Sequence, residues 1–182
     1  MIRLAEVTDV DAIMTIVGQA QQALAELGID QWQDGYPSRQ AILDDIACNV
    51  GYVAIEGDVV IGYAAIVLTG EEAYKQIDAN EWNTSNDYVV VHRICVDGRV
   101  RRSGVAIRLM QHAASLAREH SFSAFRIDTH RGNIRMLAML QKLGFKPTGI
   151  VHYESGERVA YDLDLSLSKI LYSDRAFGPI IG

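Results

Sequence analysis

The run YVVVHRICV at 88–96 constrains the fold more than any other part of this 182-residue chain. The run is rich in β-branched residues and almost continuously apolar, which is typical of a strand covered on both faces. It therefore predicts a central strand in a sheet that carries helices on both sides. A helix-period pattern of apolar residues follows from Gly104 to about His120, so we expect the strand to lead through a short turn into a helix.

The rest of the chain alternates between short β-rich runs and segments with helical periodicity. Gly57-Asp58 separates two β-rich runs and predicts a two-residue hairpin turn. The polar segment 70–87 is predicted to be a loop with one helical turn at the rim of a site. The tail at 166–182 has no clear pattern. Helices are predicted at about 8–27, 38–47 and 133–144, and strands at 2–5, 52–56, 59–68, 124–128, 148–153 and 158–165.

Composition limits the function classes that fit the chain. With 49% hydrophobic residues, it is expected to fold as one globular domain over residues 1–182, and its net charge of -6 argues against nucleic-acid binding. The longest apolar run, at 59–68, is too short to span a bilayer. Cys48 and Cys95 lie far apart and predict no disulfide framework. We expect a cytoplasmic protein without membrane or nucleic-acid partners, either a monomer or a homodimer.

Residues 101–110, RRSGVAIRLM, join the central strand to the helix and place arginines beside a glycine. The first N–H groups of a helix lack partners, and together with the helix dipole they favour an anion. Gly104 lets the backbone approach a phosphate closely. The segment matches neither a Walker loop nor the dinucleotide fingerprint. Taken alone, it fits equally well an ordinary helix start with solvated arginines.

Two motifs together identify a family resemblance. VDGRVRRSGVAIRLM resembles the acyl-CoA pyrophosphate loop of the GNAT superfamily of N-acetyltransferases, written Arg/Gln-x-x-Gly-x-Gly/Ala. NIRMLAMLQKLGFKPTG resembles the family's next helix and turn, in the family's order. The resemblance covers about residues 88–165 and implies an α/β fold with a GNAT-like mixed central sheet flanked by helices on both faces. The matching positions are Arg101, Gly104, Ala106, Asn133, Met136, Gly144 and Phe145.

This resemblance implies acetyl-CoA as co-substrate, no metal, and direct attack of a primary amine of a small molecule or peptide on the thioester. In the family, the central strand lines the pantetheine and polarises the thioester carbonyl, and Asn133 matches a position that faces the cofactor arm. The strand positions here are Ile94, Cys95 and Val96. The implied pyrophosphate-binding positions are Arg101, Arg102, Ser103, Gly104, Val105 and Ala106.

The chain departs from the family at Leu140, where many members carry a tyrosine that protonates the leaving thiolate. Tyr153 is the candidate substitute, and water is an alternative. An attacking amine needs a base with a pKa near neutrality, which favours histidine. His92 is predicted to share a face with Ile94 and Val96 by two-residue alternation. Two further catalytic candidates, Asp128 and His130, are predicted to share a face near the end of the next strand, although each histidine also fits a structural role.

Aromatic residues in two predicted loops are candidates for the acceptor pocket. Trp32, Tyr36 and Trp82 are the predicted substrate-binding residues, and Tyr74 lies in the same rim segment as Trp82. Anchoring of the loops by buried aromatics is the alternative interpretation. A non-catalytic acyl-CoA-binding or regulatory module is the second function that fits the sequence, because Leu140 replaces the acid. An arginine-rich nucleic-acid binder is a third, disfavoured by the acidic balance.

Overall fold

The computed structural model describes residues 1–78, 81–84, 87–100 and 103–167. Its strands form one seven-stranded sheet in the order β1-β2-β3-β4-β5-β7-β6. Every neighbouring pair is antiparallel except β4 and β5, which run parallel. The predicted mixed sheet is confirmed. The strands are β1 (Ile2–Leu4), β2 (Gly51–Glu56), β3 (Val59–Val67), β4 (Tyr88–Val96), β5 (Ala124–Thr129), β6 (Lys146–Tyr153) and β7 (Gly156–Asp164).

In the described part of the chain, four α-helices lie close to their predicted positions, although the first begins at Val10 after a 3-10 turn and not at about residue 8. Ser38 caps α2 by accepting a hydrogen bond from the Ala41 N–H, and Asn133 caps α4 by accepting one from Met136. None of the helices in the described ranges is both long and apolar enough to cross a membrane. The helices are α1 (Val10–Ala25), α2 (Arg39–Ala47), α3 (Val105–Glu119) and α4 (Ile134–Leu143), with short 3-10 turns at Val7–Asp9, Glu72–Lys75 and Gly98–Val100.

Helices cover both faces of the sheet, as the continuous apolar character of β4 predicts. On one face, Ile13 of α1 and Ile42 of α2 pack with Val53 of β2. On the other, α3 and α4 pack against β4 and β5, and Leu109 and Leu140 are completely buried there. Each such side chain stabilises the fold by about 1.5–3 kcal/mol relative to exposure to water.

The parallel strands β4 and β5 separate towards their carboxyl ends. Within the described residues, their ladder ends at the pair Val90–Arg126. Beyond that pair, β4 stays bonded to β3 and β5 stays bonded to β7. We call the opening between residues 91–96 of β4 and residues 127–129 of β5 the wedge. Ligands of open α/β sheets collect at the carboxyl ends of strands, so the wedge is where a site is expected.

A β-bulge in β4 overturns one prediction. Tyr63 pairs with Cys95 but Ala65 pairs with His92, so β4 has one residue more than β3 at this point. Arg93 absorbs the irregularity with a φ of 55°. As a result, Ile94 and Val96 return to the face that packs against α3, whereas His92 contacts Glu71. The prediction that His92 shares a face with Ile94 and Val96 is wrong, because the extra residue reverses the alternation.

The last strands also differ slightly from the prediction. β6 begins at Lys146 rather than at about residue 148, and it includes Pro147. Since β6 is an edge strand with a register shift at Pro147, the missing proline N–H is tolerated there. Of the tail predicted at 166–182, residues 168–182 lie outside the described residues.

Candidate active site

The amino terminus of α3 is open. Its N-cap, Gly104, has a φ of 81°, and no side chain among the described residues caps this end. A Cβ added at Gly104 would meet no atom of the described residues within 4 Å. The first backbone N–H groups of α3, including those of Val105 and Ala106, therefore face a space that an anion can enter. Arg101 and Arg102, predicted to bind the same anion, lie outside the described residues.

The turn before α3 is fixed by Asp97 and by Ser103. Asp97 is buried and accepts hydrogen bonds from the Arg99 backbone N–H and guanidinium group. Arg99 also lowers the pKa of Asp97, mainly through this hydrogen bond. Ser103 donates its hydroxyl to the Val100 carbonyl oxygen at 2.6 Å. The turn is therefore ordered by its own side chains, and the Arg99 charge is already paired.

A glycine of β3 sets how closely the start of α3 approaches the sheet. A Cβ added at Gly62 would lie 2.8 Å from a methyl carbon of Val105 and 3.4 Å from Leu109. Both helix residues are buried. Because no side chain fits between β3 and α3 here, Gly62 positions the amino terminus of α3 over β4.

The predicted pantetheine strand contributes mainly its backbone. Ile94 and Val96 pack against α3, whereas the Cys95 thiol is buried on the opposite face, where burial raises its pKa to about 12. Beyond Val90, the described part of β5 offers no partner to the edge of β4. The N–H and C=O groups on this edge of β4 are therefore available to a ligand in the wedge. Asn133 uses its side-chain oxygen to cap α4.

His92 and Glu71 form a pair on the face opposite α3. Nε2 of His92 lies 3.0 Å from a Glu71 carboxylate oxygen, close enough for an ion pair, although the ring N–H makes no well-aligned hydrogen bond. The Glu71 carboxylate also accepts the Ala73 N–H, which starts the 3-10 turn of the rim. Contact with His92 is the main cause that lowers the pKa of Glu71. Both side chains are only partly exposed.

Asp128 faces the same part of the wedge and is held by two tyrosines. Its Oδ2 accepts hydrogen bonds from the hydroxyls of Tyr74, at 2.7 Å, and Tyr153, at 2.9 Å. Burial, followed by the Asp128 charge, raises the pKa of both phenols. Both tyrosines therefore remain protonated donors near neutral pH. The negative charge of Glu71 also helps to raise the pKa of both phenols.

The rim segment that carries Glu71 is anchored by buried aromatics. The indole N–H of Trp82 donates to the Tyr74 carbonyl oxygen. Arg126 of β5 is buried between two rings, with its guanidinium carbon 4.2 Å from the centre of the Trp82 ring and 3.9 Å from that of Tyr88. Asp162 of β7 accepts from the Asn83 backbone and side chain. Trp82, predicted to bind substrate, therefore anchors the rim.

Trp32 and Tyr36 lie in the predicted loop between α1 and α2, residues 29–37. This loop reaches the site through Tyr36. Its ring packs against the guanidinium group of Arg93, 5.3 Å from the ring centre, and burial raises its pKa. Arg93 in turn pairs with the buried Asp45, whose other oxygen accepts the Tyr63 hydroxyl. Trp32 packs against the core beneath α1. Tyr36 therefore lies against Arg93, the residue that follows His92 in β4.

His130 occupies the turn after β5. Its Nδ1 accepts the Gly132 N–H at 3.0 Å, and its Nε2 lies 4.0 Å from Asp30. A Cβ on Gly132 would come within 3.3 Å of Ile29 and of the His130 ring, so this turn packs tightly under the 29–37 loop. Among the described residues, no group of three or more His, Cys, Asp or Glu side chains could hold a metal ion.

Comparison with known proteins decides the family. A model described as the acetyltransferase (GNAT) family matches residues 19–145, which cover the open turn, the wedge and His92. The chain belongs to the GNAT family. Members of this family are acetyl-CoA-dependent N-acetyltransferases. A search of curated proteins gives no match.

Solved structures agree with this assignment. A GNAT-family acetyltransferase from Streptococcus agalactiae 2603 is 37% identical, with 90% of this chain and 94% of that one covered and a TM-score of 0.81. A protein from Staphylococcus aureus Mu50 is 23% identical over 91% and 99% of the two chains, with a TM-score of 0.70. Ribosomal-protein-alanine N-acetyltransferase from Brucella melitensis is 16% identical over 90% and 99%, with a TM-score of 0.66, and shows the shared fold.

The residues of this acetyltransferase fit acetyl-CoA. The open α3 amino terminus suits a pyrophosphate, and the unpaired edge of β4 suits the pantetheine amides. Leu140, in contrast, is completely buried among apolar residues and brings no acid to the site. The sequence analysis missed the roles of Glu71, Arg93 and Asp45. Their contacts join segments far apart in the chain, and no local pattern signals such contacts.

Proposed function

We propose that the protein transfers the acetyl group of acetyl-CoA to a primary amine of a small molecule or peptide, with His92 as general base. The observation that carries this proposal is the His92–Glu71 pair, which lies where the wedge begins, two residues beyond the last β4–β5 pair. A histidine is suited to take a proton from an amine near neutral pH. The adjacent carboxylate stabilises the imidazolium that forms.

The proposed reaction needs little from other side chains. Acetyl-CoA supplies the activated acetyl group. The protonated amine loses one proton to His92 and attacks the thioester carbonyl carbon. The C–S bond then breaks and the nitrogen loses its second proton to water, giving the amide and coenzyme A thiolate. A backbone N–H on the open edge of β4, in the stretch Ile94–Val96, is placed to stabilise the developing oxyanion. Positioning of the two substrates in the wedge then provides much of the rate enhancement.

Two of the predicted catalytic residues receive other roles in this proposal. The Tyr153 proton is already donated to Asp128, and its raised pKa makes it a poor proton source, so we assign thiolate protonation to water. The Nδ1 lone pair of His130 is engaged by the Gly132 N–H. With that nitrogen occupied and Nε2 carrying the proton, no lone pair remains for an amine proton. We assign His130 to holding its turn.

A thiol-release assay with acetyl-CoA tests the proposal. Aliphatic amines, amino acids and peptide amino termini are offered as acceptors, and coenzyme A release is followed from pH 6 to 9. We expect turnover with at least one acceptor class, and His92→Gln should abolish the acidic limb of the pH–rate profile while leaving coenzyme A binding unchanged. An unaltered limb in His92→Gln would remove His92 from the role of base.

A non-catalytic acyl-CoA-binding module is the second candidate, favoured by Leu140. In that case acetyl-CoA and coenzyme A bind with similar affinity in calorimetry, and no amine accelerates thiol release. His92→Gln then has no effect on any readout. The two candidates are separated by turnover alone, since both bind the cofactor.

A further inference from the structure

We propose that Asp128 binds the acceptor amine as an ammonium ion, so that the natural acceptors are aliphatic amines that are protonated at neutral pH. This inference rests on the proposed function and names its substrate class. It assigns Asp128 to acceptor binding rather than to proton transfer.

The strand register places Asp128 opposite the base. The last pair between β4 and β5 is Val90–Arg126, and the strands are parallel. Two residues further along each strand are His92 and Asp128, which therefore stand at the same height on the two sides of the wedge. Both point to the face opposite α3, as their contacts with Glu71 and Tyr74 show. An amine that enters between the strands meets both.

The charge of Asp128 is the second observation. Its only partners among the described residues are two neutral hydroxyls, and no described cation lies within ion-pair distance. Of the buried aspartates among the described residues, Asp9, Asp45 and Asp97 each pair with an arginine, whereas Asp162 accepts hydrogen bonds from Asn83 and Thr84. A partly buried carboxylate without a cation is costly. An ammonium group from the acceptor supplies the missing charge.

The tyrosines fix the orientation of the carboxylate. Both hydroxyls bond to Oδ2, and no described group donates to Oδ1, which remains available to an ammonium N–H. Tyr74 is buried and Tyr153 is half-buried, so both side chains keep their positions when a ligand binds. The phenols stay protonated because their pKa values are raised, and they therefore add hydrogen bonds without adding charge.

The reaction then weakens its own product complex. An ammonium held by Asp128 passes one proton to His92, and the resulting neutral amine attacks the thioester carbon. As the C–S bond breaks, the nitrogen loses its second proton to water. The acetylated product is an amide without a positive charge, so its ion pair with Asp128 is lost. Asp128 thus favours the charged acceptor over the neutral product, which helps the product to leave.

Kinetic comparison of benzylamine, which is charged at neutral pH, with aniline, which is not, tests the inference. In Asp128→Asn, kcat/KM for benzylamine should fall about tenfold to a hundredfold, as expected for losing a charged hydrogen bond, mostly through KM. The value for aniline should stay within about threefold. Asp78→Asn removes the same charge from an exposed residue outside the wedge and serves as the control. Equal losses for both amines in Asp128→Asn would indicate a structural role and overturn the inference.

A binding measurement separates this inference from the proposed function. Calorimetry with coenzyme A-saturated protein compares benzylamine with benzyl alcohol, which has a similar shape and no charge. The wild type should bind the amine at least about tenfold more tightly, and Asp128→Asn should bind both alike. Equal binding by the wild type overturns the ammonium site even if acetyl transfer occurs. Preferential binding without turnover supports the site and contradicts the proposed function.

Discussion

The two ends of the wedge are built differently. The cofactor end comes from one continuous stretch, in which Asp97 orders the turn and Gly104 opens α3. The acceptor end gathers side chains that are far apart in the chain, such as Tyr74 with Asp128, 54 residues away, and Arg93 with Asp45, 48 residues away. In the proposed function, the first end binds the cofactor through backbone groups and the second binds the acceptor through side chains. Cofactor binding can therefore stay constant while acceptor chemistry changes.

Replacement of His92 is expected to have the largest effect, confined to the acceptor end. His92→Ala should lower kcat by about a hundredfold to a thousandfold, the usual contribution of a general base. Coenzyme A affinity, measured by calorimetry, should remain within about twofold, because no contact of His92 among the described residues reaches the α3 amino terminus. A parallel loss of coenzyme A affinity would show that the two ends are not separate.

Gly104 offers a matched pair of variants for the cofactor end. Asn and Asp have the same size, and both tolerate the left-handed conformation of Gly104 better than other residues. Asp at a helix N-cap stabilises the helix, yet its charge repels a phosphate. Gly104→Asp should therefore bind coenzyme A about tenfold more weakly than Gly104→Asn, without a lower Tm. Equal affinities in calorimetry would contradict pyrophosphate binding at this end.

Arg126 anchors the rim between the Trp82 and Tyr88 rings. Its replacement sharpens the comparison, because it should change the acceptor end without touching the ligand. Arg126→Met removes the cation between the Trp82 and Tyr88 rings while keeping much of the volume. We expect KM for the acceptor to rise about fivefold, because each cation–π contact is worth about 0.5–2 kcal/mol and the rim carries Glu71. Arg131→Met, at an exposed ion pair, is the control and should change little. Coenzyme A affinity that falls together with acceptor affinity would contradict this assignment.

The smallest effect is expected at Asp97 and depends on pH. The folded-state pKa of Asp97 is lowered from 3.8, so its stabilisation is present above that value and is lost as the pH falls through the lower folded value. Asp97→Asn should lower Tm by about 3 °C at pH 7, and the difference should shrink below about pH 4. Thermal unfolding followed by circular dichroism at pH 7 and pH 3 measures this. A constant difference across that range would assign the effect to packing.

The difference between local and long-range contacts also explains which features the sequence predicts correctly. The hairpin at Gly57, the caps at Ser38 and Asn133, and the open turn at Gly104 depend on neighbouring residues, and the structure confirms them. The face of His92 was wrongly predicted because the bulge at Arg93 adds one residue to β4. Arg93 is not a glycine, so the sequence gives no sign of the irregularity.

The acceptor end was the least predictable part. Glu71 lies in a polar segment without periodicity, and it reaches His92 because the rim is held by contacts such as Tyr74 with Asp128 and the Glu71 N–H with Tyr88. Asp128 contacts Tyr74 and Tyr153 because β5, β6 and the rim come together in the folded protein. Such contacts follow from the register of the sheet, which a single sequence does not specify.

A crystal structure with acetyl-CoA and an unreactive acceptor analogue, benzyl alcohol, tests the division of the wedge most directly. We expect the pyrophosphate at the amide groups of Gly104, Val105 and Ala106, and the thioester between His92 and Asp128 at the open edge of β4. Difference density for the cofactor sulfur away from the space between His92 and Asp128, or a pyrophosphate away from the α3 amino terminus, would contradict it.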